Sequence, residues 1–377
     1  MLGIELWLGY PYGTDNPHRK LAPCALTQAP CGTGKSPSVQ LVQSVTPSQK
    51  GISMSSAASL GRALSNGLRR LVGTPAGQPT AYRMIDAQLK RRIVLSPSLT
   101  RLVFASPDIA LARTLAPDQR IKLFFPGADG TPSNLPRQGD WQAVRRQMSK
   151  GQCPPMRTYT IRDLRREPCE LDVDFVLHGV NGPASAWATE AQVGDSVQML
   201  VPNLEFADDP GGYEWQPPAD ARQILLIGDE TALPALAGIL EELADHPEAM
   251  AVQAFIEVPG EADCLSLRTG PNTRLNWLPR DLLQCAHGEA MLHAARELAD
   301  LGPRASGTQR AAKLPEVDIE QQILWERASP SHSHFYAWVA GESAAVMSIR
   351  RHLITERGLD RRELTLMGYW RQGRSLN

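Results

Sequence analysis

Arg157-Thr158-Tyr159-Thr160 holds residue types able to grip a phosphorylated ring compound. On a strand alternate side chains share a face, so Arg157 and Tyr159 point one way and Thr160 the other. An arginine offers a planar fork to diphosphate oxygens. A tyrosine offers a flat π-face to a ring system. A threonine offers a backbone amide and a hydroxyl to a heteroaromatic nitrogen. A strand Tyr beside an Arg is, by itself, more often a structural pair. The following segment adds a second element: Gly182-Pro183-Ala184-Ser185 and Trp187 open a helix. Free amides at a helix start, with Ser185 among them, suit an anion. Gly182 lets backbone come close to a phosphate. Standing alone, Gly-Pro-Ala-Ser reads equally well as an ordinary turn and cap.

Further along, Gly228-Asp229-Glu230-Thr231, followed by Ala232, forms a turn between a buried-type strand and a helix. That is the usual place for a dinucleotide in a parallel sheet. The turn lacks the G-x-G-x-x-G pattern, and an ordinary tight βα turn fits it as well. Trp370 and Arg371 end the last strand, where Trp370 reads either as core packing or as part of a site. Cys31-Gly32-Thr33-Gly34-Lys35-Ser36 is superficially a phosphate loop, but Ala29 stands where the pattern needs Gly.

These residues need elements to position them. Arg91–Leu95, Thr100–Ala105, Arg120–Phe125, Arg157–Arg162, Glu170–His178 and Ser196–Val201 read as short strands with turn residues between them. The fifth alternates strongly, with Leu171, Val173, Phe175 and Leu177 against Asp172, Asp174 and His178. This spacing predicts a small antiparallel β-barrel over residues 81–207. Asp140–Lys150, bearing Trp141, Arg145 and Arg146, reads as an irregular or helical insertion. A Pro- and Gly-rich linker spans 208–220. Over 221–377 the rhythm becomes strand, turn, helix: Gln223–Ile227, Ala232–Leu243, Ala251–Glu257, His334–Ala340, Glu342–Glu356 and Leu364–Trp370. Continuous apolar strands alternating with helices predict an α/β domain with a parallel sheet.

Residues 16–85 hold no Asp or Glu. Residues 1–80 are therefore read as an extension outside the core, disordered or the product of a misassigned start at a position before Met54 or Met84. Leu60, Leu64, Leu68 and Leu71 recur there at helical spacing, and an acid-free, Arg- and Ser-rich segment also describes a transit peptide. Over the whole chain of 377 residues, 21% are charged, 42% are apolar and the net charge is −1. That balance points away from nucleic acid and membrane surfaces as partners. No run approaches the ~20 apolar residues that span a bilayer. The six cysteines are scattered without a C-x-x-C pair, which argues for reduced thiols in the cytoplasm and against a disulfide framework, a zinc site or an iron–sulfur cluster.

The run from Arg157-x-Tyr159-Thr160-x-Arg162 through Asp172–Gly179 to Gly182-Pro183-Ala184-Ser185-x-Trp187-Ala188 resembles the siderophore-interacting protein family, FAD-dependent ferric-siderophore reductases of the ferredoxin–NADP reductase superfamily. So do Gly228–Ala235, Tyr336–Glu342 and Gly368-Tyr369-Trp370-Arg371-x-Gly373. The blocks follow the family's order over about residues 84–374. The resemblance implies an FAD-binding barrel over 81–207 and a nicotinamide-binding α/β domain over 221–377. It implies that Arg157 takes the FAD diphosphate, Tyr159 stacks on the isoalloxazine and Thr160 approaches its reactive edge. His178, Gly182, Ala184, Ser185 and Trp187 would complete that site, and Trp370 would come near the flavin. Gly228, Asp229, Glu230, Thr231 and Ala232 would receive the electron donor, NADPH or NADH; Val258–Glu261 hold no base that would select a 2′-phosphate.

The substrate implied is a ferric siderophore, reduced to release Fe(II) without any protein ligand to the metal. Catecholate-type siderophores are anionic, so a basic cleft would hold them, with Lys122 and Arg371 as its candidates. An exposed strand Lys and a solvated terminal Arg are the plainer readings of those two. The chain is expected to act as a monomer. Two other functions share these features: a flavin-dependent reductase of quinones, free flavin or ferredoxin, and a siderophore-binding protein without catalysis. Retained yellow FAD separates the second, and the electron acceptor separates the first.

Overall fold

The computed structural model describes residues 79–177, 179, 182–246, 250–301, 323–329 and 333–373. Readings placed on residues 1–78 and on His178 lie outside the described residues.

Strands β1 (Tyr82–Val94), β2 (Leu99–Ala105), β3 (Arg120–Phe124), β4 (Met156–Thr160), β5 (Asp163–Arg166), β6 (Cys169–Val176) and β7 (Ser196–Pro202) make one sheet in the order β4-β3-β7-β1-β2-β6-β5. Every pairing in it is antiparallel. Its two edges, β4 and β5, are separated only by Ile161 and Arg162, and the Arg162 N–H donates to the Asp172 carbonyl at 2.9 Å. The sheet therefore curls toward itself as the expected barrel, open beside β4. Helix α1 (Trp141–Gln147) lies between β3 and β4, and α2 (Pro183–Glu190) between β6 and β7.

Alternation builds the barrel core. Ile85, Ala87 and Leu89 of β1, Ile121 and Leu123 of β3, and Leu171, Val173 and Phe175 of β6 point into it. The expected strand over Arg91–Leu95 is the end of a longer one, because Tyr82–Gln88 pairs along the whole of β7. The acidic face of β6 is buried as well. Glu170 pairs with Lys90 and Arg91 (both 2.7 Å), Asp172 with Arg165, and Asp174 with Arg101 (2.7 Å). Pairing is what lets those carboxylates leave water.

The second sheet has β8 (Gln223–Gly228), β9 (Ala251–Val258), β10 (Thr273–Pro279), β11 (Trp325–Glu326), β12 (Phe335–Glu342) and β13 (Leu364–Trp370) in the order β10-β9-β8-β12-β13-β11. All neighbours are parallel except β11 with β13. Helices α3 (Leu233–Asp245), α4 (Arg280–Leu283), α5 (Glu289–His293) and α6 (Ser343–Arg351) cover it. In β8, Ile224 and Leu226 pack with Leu236, Ile239 and Leu240 of α3, while Leu225 and Ile227 pack with Met291, Val346 and Ile349 on the other face. Burial on both faces explains the continuous apolar run. The helix expected over Glu342–Glu356 is α-helical to Arg351 and then widens into a π-turn over His352–Glu356. Among the described residues no helix is long and apolar enough to cross a membrane.

Buried polar groups lock the two sheets together. Asp118 accepts from the Glu214 and Trp215 N–H groups (2.8 and 3.0 Å), and Trp215 donates its indole N–H to Glu242 of α3 at 2.7 Å. Asp263 accepts from Ser96 Oγ, Ser98 N and Ser98 Oγ in the β1–β2 turn at 2.7–2.9 Å. A Cβ on Gly238 of α3 would come within 2.9 Å of Pro117, so only glycine allows this approach. The connecting segment is thus pinned at Trp215, which is buried.

Candidate cofactor and substrate site

Edge strand β4 carries the first part of the site. Its register sets Tyr159 opposite Ile121 and Arg157 opposite Leu123, so both share the face that builds the barrel core. Tyr159 is half-buried against Phe175, with ring centroids 4.3 Å apart. Burial pushes its phenol well above the ordinary tyrosine range, so a neutral aromatic ring is what it presents. Thr160 lies on the other face, buried, opposite Arg120, whose guanidinium pairs with Glu214 at 2.8 Å.

Arg157 Nη1 donates to the Met156 carbonyl at 2.8 Å. Arg157 and Pro183 line one open cleft of about 510 Å³ together with Arg145, Arg146 and Lys150. Tertiary structure thus brings the strand Arg and the start of α2 to the same place. No side chain caps α2, and Gly182 precedes it in extended backbone. Ala184 and Trp187 face inward: Trp187 stacks on Phe104 at 6.0 Å and lies 5.6 Å from Phe125. Their structural part is to seat α2 on the barrel, while the Ser185 carbonyl accepts from Thr189 Oγ1 at 2.8 Å within the helix.

The second part gathers at the carboxyl ends of the parallel strands. A Cβ on Gly228 would meet Leu236, Ala232 and the Ala340 carbonyl at 2.7–3.1 Å, so this glycine serves the close packing of strand against helix. Asp229 is fully buried and accepts from Thr231 N (2.9 Å), Thr231 Oγ1 (2.5 Å), Glu342 N (2.8 Å) and the Trp370 indole N–H (2.8 Å). Glu230 takes both forks of Arg280 at 2.9 Å. Glu257 accepts from Gly288 N (2.7 Å), Met291 N (3.0 Å) and Arg280 (3.1 Å). The His287 ring sits between them, 3.5 Å from Glu230, 3.7 Å from Asp229 and 3.8 Å from Glu257, and perpendicular to the Trp370 ring at 4.8 Å.

Burial and then the neighbouring Glu230 charge push Asp229 upward. Burial opposes the ionised form of Glu230, but His287 and Arg280 outweigh it and hold that carboxyl low. Burial likewise opposes a charged His287, yet Glu230 and Asp229 raise it overall. The turn expected to receive a nicotinamide therefore directs its carboxylates inward, as an anchor for Trp370 and Arg280.

Of the two candidate cations, Arg371 directly follows Trp370 and so stands beside that turn. Lys122 lies opposite Thr158, with Nζ 3.4 Å from its hydroxyl. Its side chain leaves the sheet on the face opposite to Arg157 and Tyr159. Burial first, then Arg120 and Arg145, lower its ammonium pKa.

Residues 88–206 match the family model described as a siderophore-interacting FAD-binding domain, and residues 221–373 match that of the siderophore-interacting protein. The Mycobacterium bovis protein Mb2919c is 31% identical over 287 residues, covering 74% of this chain and 88% of its own. The chain belongs to the siderophore-interacting protein family.

Another relative, the ferric vibriobactin reductase ViuB of Vibrio cholerae, is 27% identical over 297 residues, covering 78% of this chain and 90% of its own. A siderophore utilization protein from T. fusca aligns with a TM-score of 0.57 at 28% identity, covering 78% of this chain and 95% of that one. The family's FAD-binding model thus falls on the barrel. The residues there fit the cofactor: an aromatic face at Tyr159, and a cleft where Arg157 and an uncapped helix start converge on room for a diphosphate. His287, Arg280 and Glu257 escaped the sequence reading. Their signal was a charged residue at the carboxyl end of a buried strand, visible for Glu257 and hidden for Arg280 because β10 was not recognised.

Proposed function

We propose that this protein uses NADPH or NADH to reduce ferric siderophores through FAD, releasing Fe(II). The observation that carries this reading is the convergence of Arg157 and the α2 start on one cleft within a domain of the family's FAD-binding type. FAD, when bound, supplies the conversion of a two-electron hydride into single electrons that Fe(III) can accept. The protein's own residues bind and orient. Arg157 and the free amides around Gly182–Ser185 hold the diphosphate, Tyr159 offers its ring to the isoalloxazine, and Thr160 addresses the reactive edge from the face shared with Arg120. His178 belongs to this site by family resemblance.

The β8 turn, Gly228–Ala232, borders the nicotinamide. Asp229 holds Trp370 there through the indole N–H. Arg371, and Lys122 from the barrel, attract the anionic chelate. Lys122→Ala or Arg371→Ala should raise KM for the ferric siderophore severalfold while FAD affinity stays within about twofold; equal KM in both variants would remove them from the substrate site.

The deciding experiment is anaerobic turnover of the FAD-loaded protein with NADPH or NADH, ferric siderophores of catecholate, hydroxamate and carboxylate type, and an Fe(II) chelator as reporter. Fe(II) formation that requires both nicotinamide and FAD is expected. Turnover of quinones or free flavin without ferric siderophores would replace this reading with a general flavin reductase, and a colourless protein that retains no added FAD would end it.

A further inference from the structure

The cleft beside Arg157 holds more positive charge than one diphosphate contact needs. Arg145, Arg146 and Lys150 line it as well, all from the insertion between β3 and β4. None of these three makes an ion pair with a carboxylate among the described residues. Elsewhere in the same domain Arg91, Arg101, Arg120, Arg137 and Arg165 each face one. Arg145 lies close enough to Lys122 to disfavour its charge. Cations gathered without carboxylates repel one another, and an anion relieves that.

The insertion is a built arm. Asp140 caps α1 by accepting from Ala143 N at 2.9 Å. Trp141 meets Phe124 edge-on at 5.1 Å, and Met148 joins the same apolar patch on the outer face of the sheet. Arg145 Nε donates to the Pro154 carbonyl at 3.1 Å. These contacts hold the cations against the open edge of β4, where outer and core faces meet. Cys153, Pro155 and Pro183 supply apolar wall next to the charges. Charge beside apolar wall suits a phosphorylated nucleoside better than a hydrated ion.

We propose that Arg145, Arg146 and Lys150 bind the adenylyl half of FAD and make the barrel selective for FAD over FMN. This rests on the reading that Arg157 and the α2 start hold the flavin-side phosphate. FMN ends at that phosphate and cannot reach the arm; FAD continues into it.

The test is flavin binding to apoprotein, followed by fluorescence quenching, with FAD and FMN titrated separately. Arg146 and Lys150 are exposed and support no other described group, so R146Q/K150Q is the first variant, with R145Q as the second. For R146Q/K150Q, FAD affinity should fall about tenfold or more, since charge-assisted bonds to phosphate are strong. FMN affinity should move less than about threefold, and the salt dependence of FAD binding should weaken. Thermal midpoints should match the wild type, and Arg157→Ala should lose both flavins. An unchanged FAD-to-FMN ratio in both variants would overturn the proposal while leaving the flavin reading intact. A rise in KM for ferric siderophore at unchanged FAD affinity would overturn it too, by assigning the cleft to the chelate. Wild-type protein that binds neither flavin would overturn both readings.

Discussion

Tyr159 and Arg157 stand two residues apart on an edge strand, and the proposed function gives each a separable task. Burial keeps the Tyr159 phenol neutral, and the proposed function assigns its π-face, not its hydroxyl, to the flavin ring. Tyr159→Phe should therefore keep FAD retention within a few-fold of wild type, whereas Tyr159→Ala and Arg157→Ala should lose most of it. Flavin absorbance per mole of protein after gel filtration measures this. If Tyr159→Phe also emerged colourless, the hydroxyl would carry the binding.

His287 faces Asp229, Glu230, Glu257 and Arg280. Its folded pKa lies above the unfolded value of about 6.5. A raised imidazole contributes stability that is complete below the unfolded pKa and is lost as pH climbs through the folded one. Asp229, pushed up to about 6, has the same sign but acts at lower pH, between about 4 and 6, so the decline above that range belongs to the imidazole. Thermal midpoints should accordingly decline from about pH 6.5 upward, and His287→Gln should flatten that decline. An identical slope in the variant would show that the imidazole does not carry the linkage.

At the scale of elements, β6 shows what alternation does and does not reveal. Its apolar half reads directly as a core face. Its acidic half looks like a solvated face, yet Glu170, Asp172 and Asp174 are buried under Lys90, Arg91, Arg165 and Arg101. The cations come from other strands, so pairing and burial arise together only in the sheet. Asp174→Ala strands the half-buried Arg101 and removes a partner 3.9 Å from Arg162. Loss of one partner of a buried pair costs about 3–5 kcal/mol, and the partial exposure of Arg101 moves the expectation to the lower end of that range. Urea unfolding checks it, and a loss under about 1 kcal/mol would mean that water screens the ladder.

The same scale explains the elements that escaped the sequence. β5 (Asp163–Arg166) has one apolar residue, and β11 (Trp325–Glu326) is a two-residue antiparallel addition to the edge. β10 (Thr273–Pro279) is only half-buried at the opposite edge of its sheet. Short or polar edge strands carry too little period for local pattern to register. The long buried strands β8, β12 and β13 were legible because burial on both faces leaves a continuous apolar run.

For the whole molecule, the proposed hydride transfer would need two cofactor rings held in register, which makes the joint between the sheets as important to that proposal as either site. Asp263 supports that joint by accepting three bonds from Ser96 and Ser98. Asp118 and the contact of Arg162 with Glu241 on α3 support it elsewhere. Asp263→Ala should leave FAD content per protein unchanged while slowing flavin bleaching by NADPH or NADH at least severalfold under anaerobic stopped-flow conditions. Unchanged bleaching would mean that the remaining contacts suffice.

The sequence by itself determined what depends on neighbours along the chain: strand alternation, the turns, the helix start at Pro183, and the ordered blocks that mark the family. It also named Arg157, Tyr159, Asp229 and Trp370. Only the tertiary structure decided that Asp229 turns inward to hold Trp370, that Lys122 leaves its sheet away from Tyr159, and that the cations of an insertion meet Arg157 and Pro183 at one cleft. The reason is range: periodicity reports which face a side chain takes, whereas edge pairing and the convergence of strand ends depend on residues tens to hundreds of positions apart.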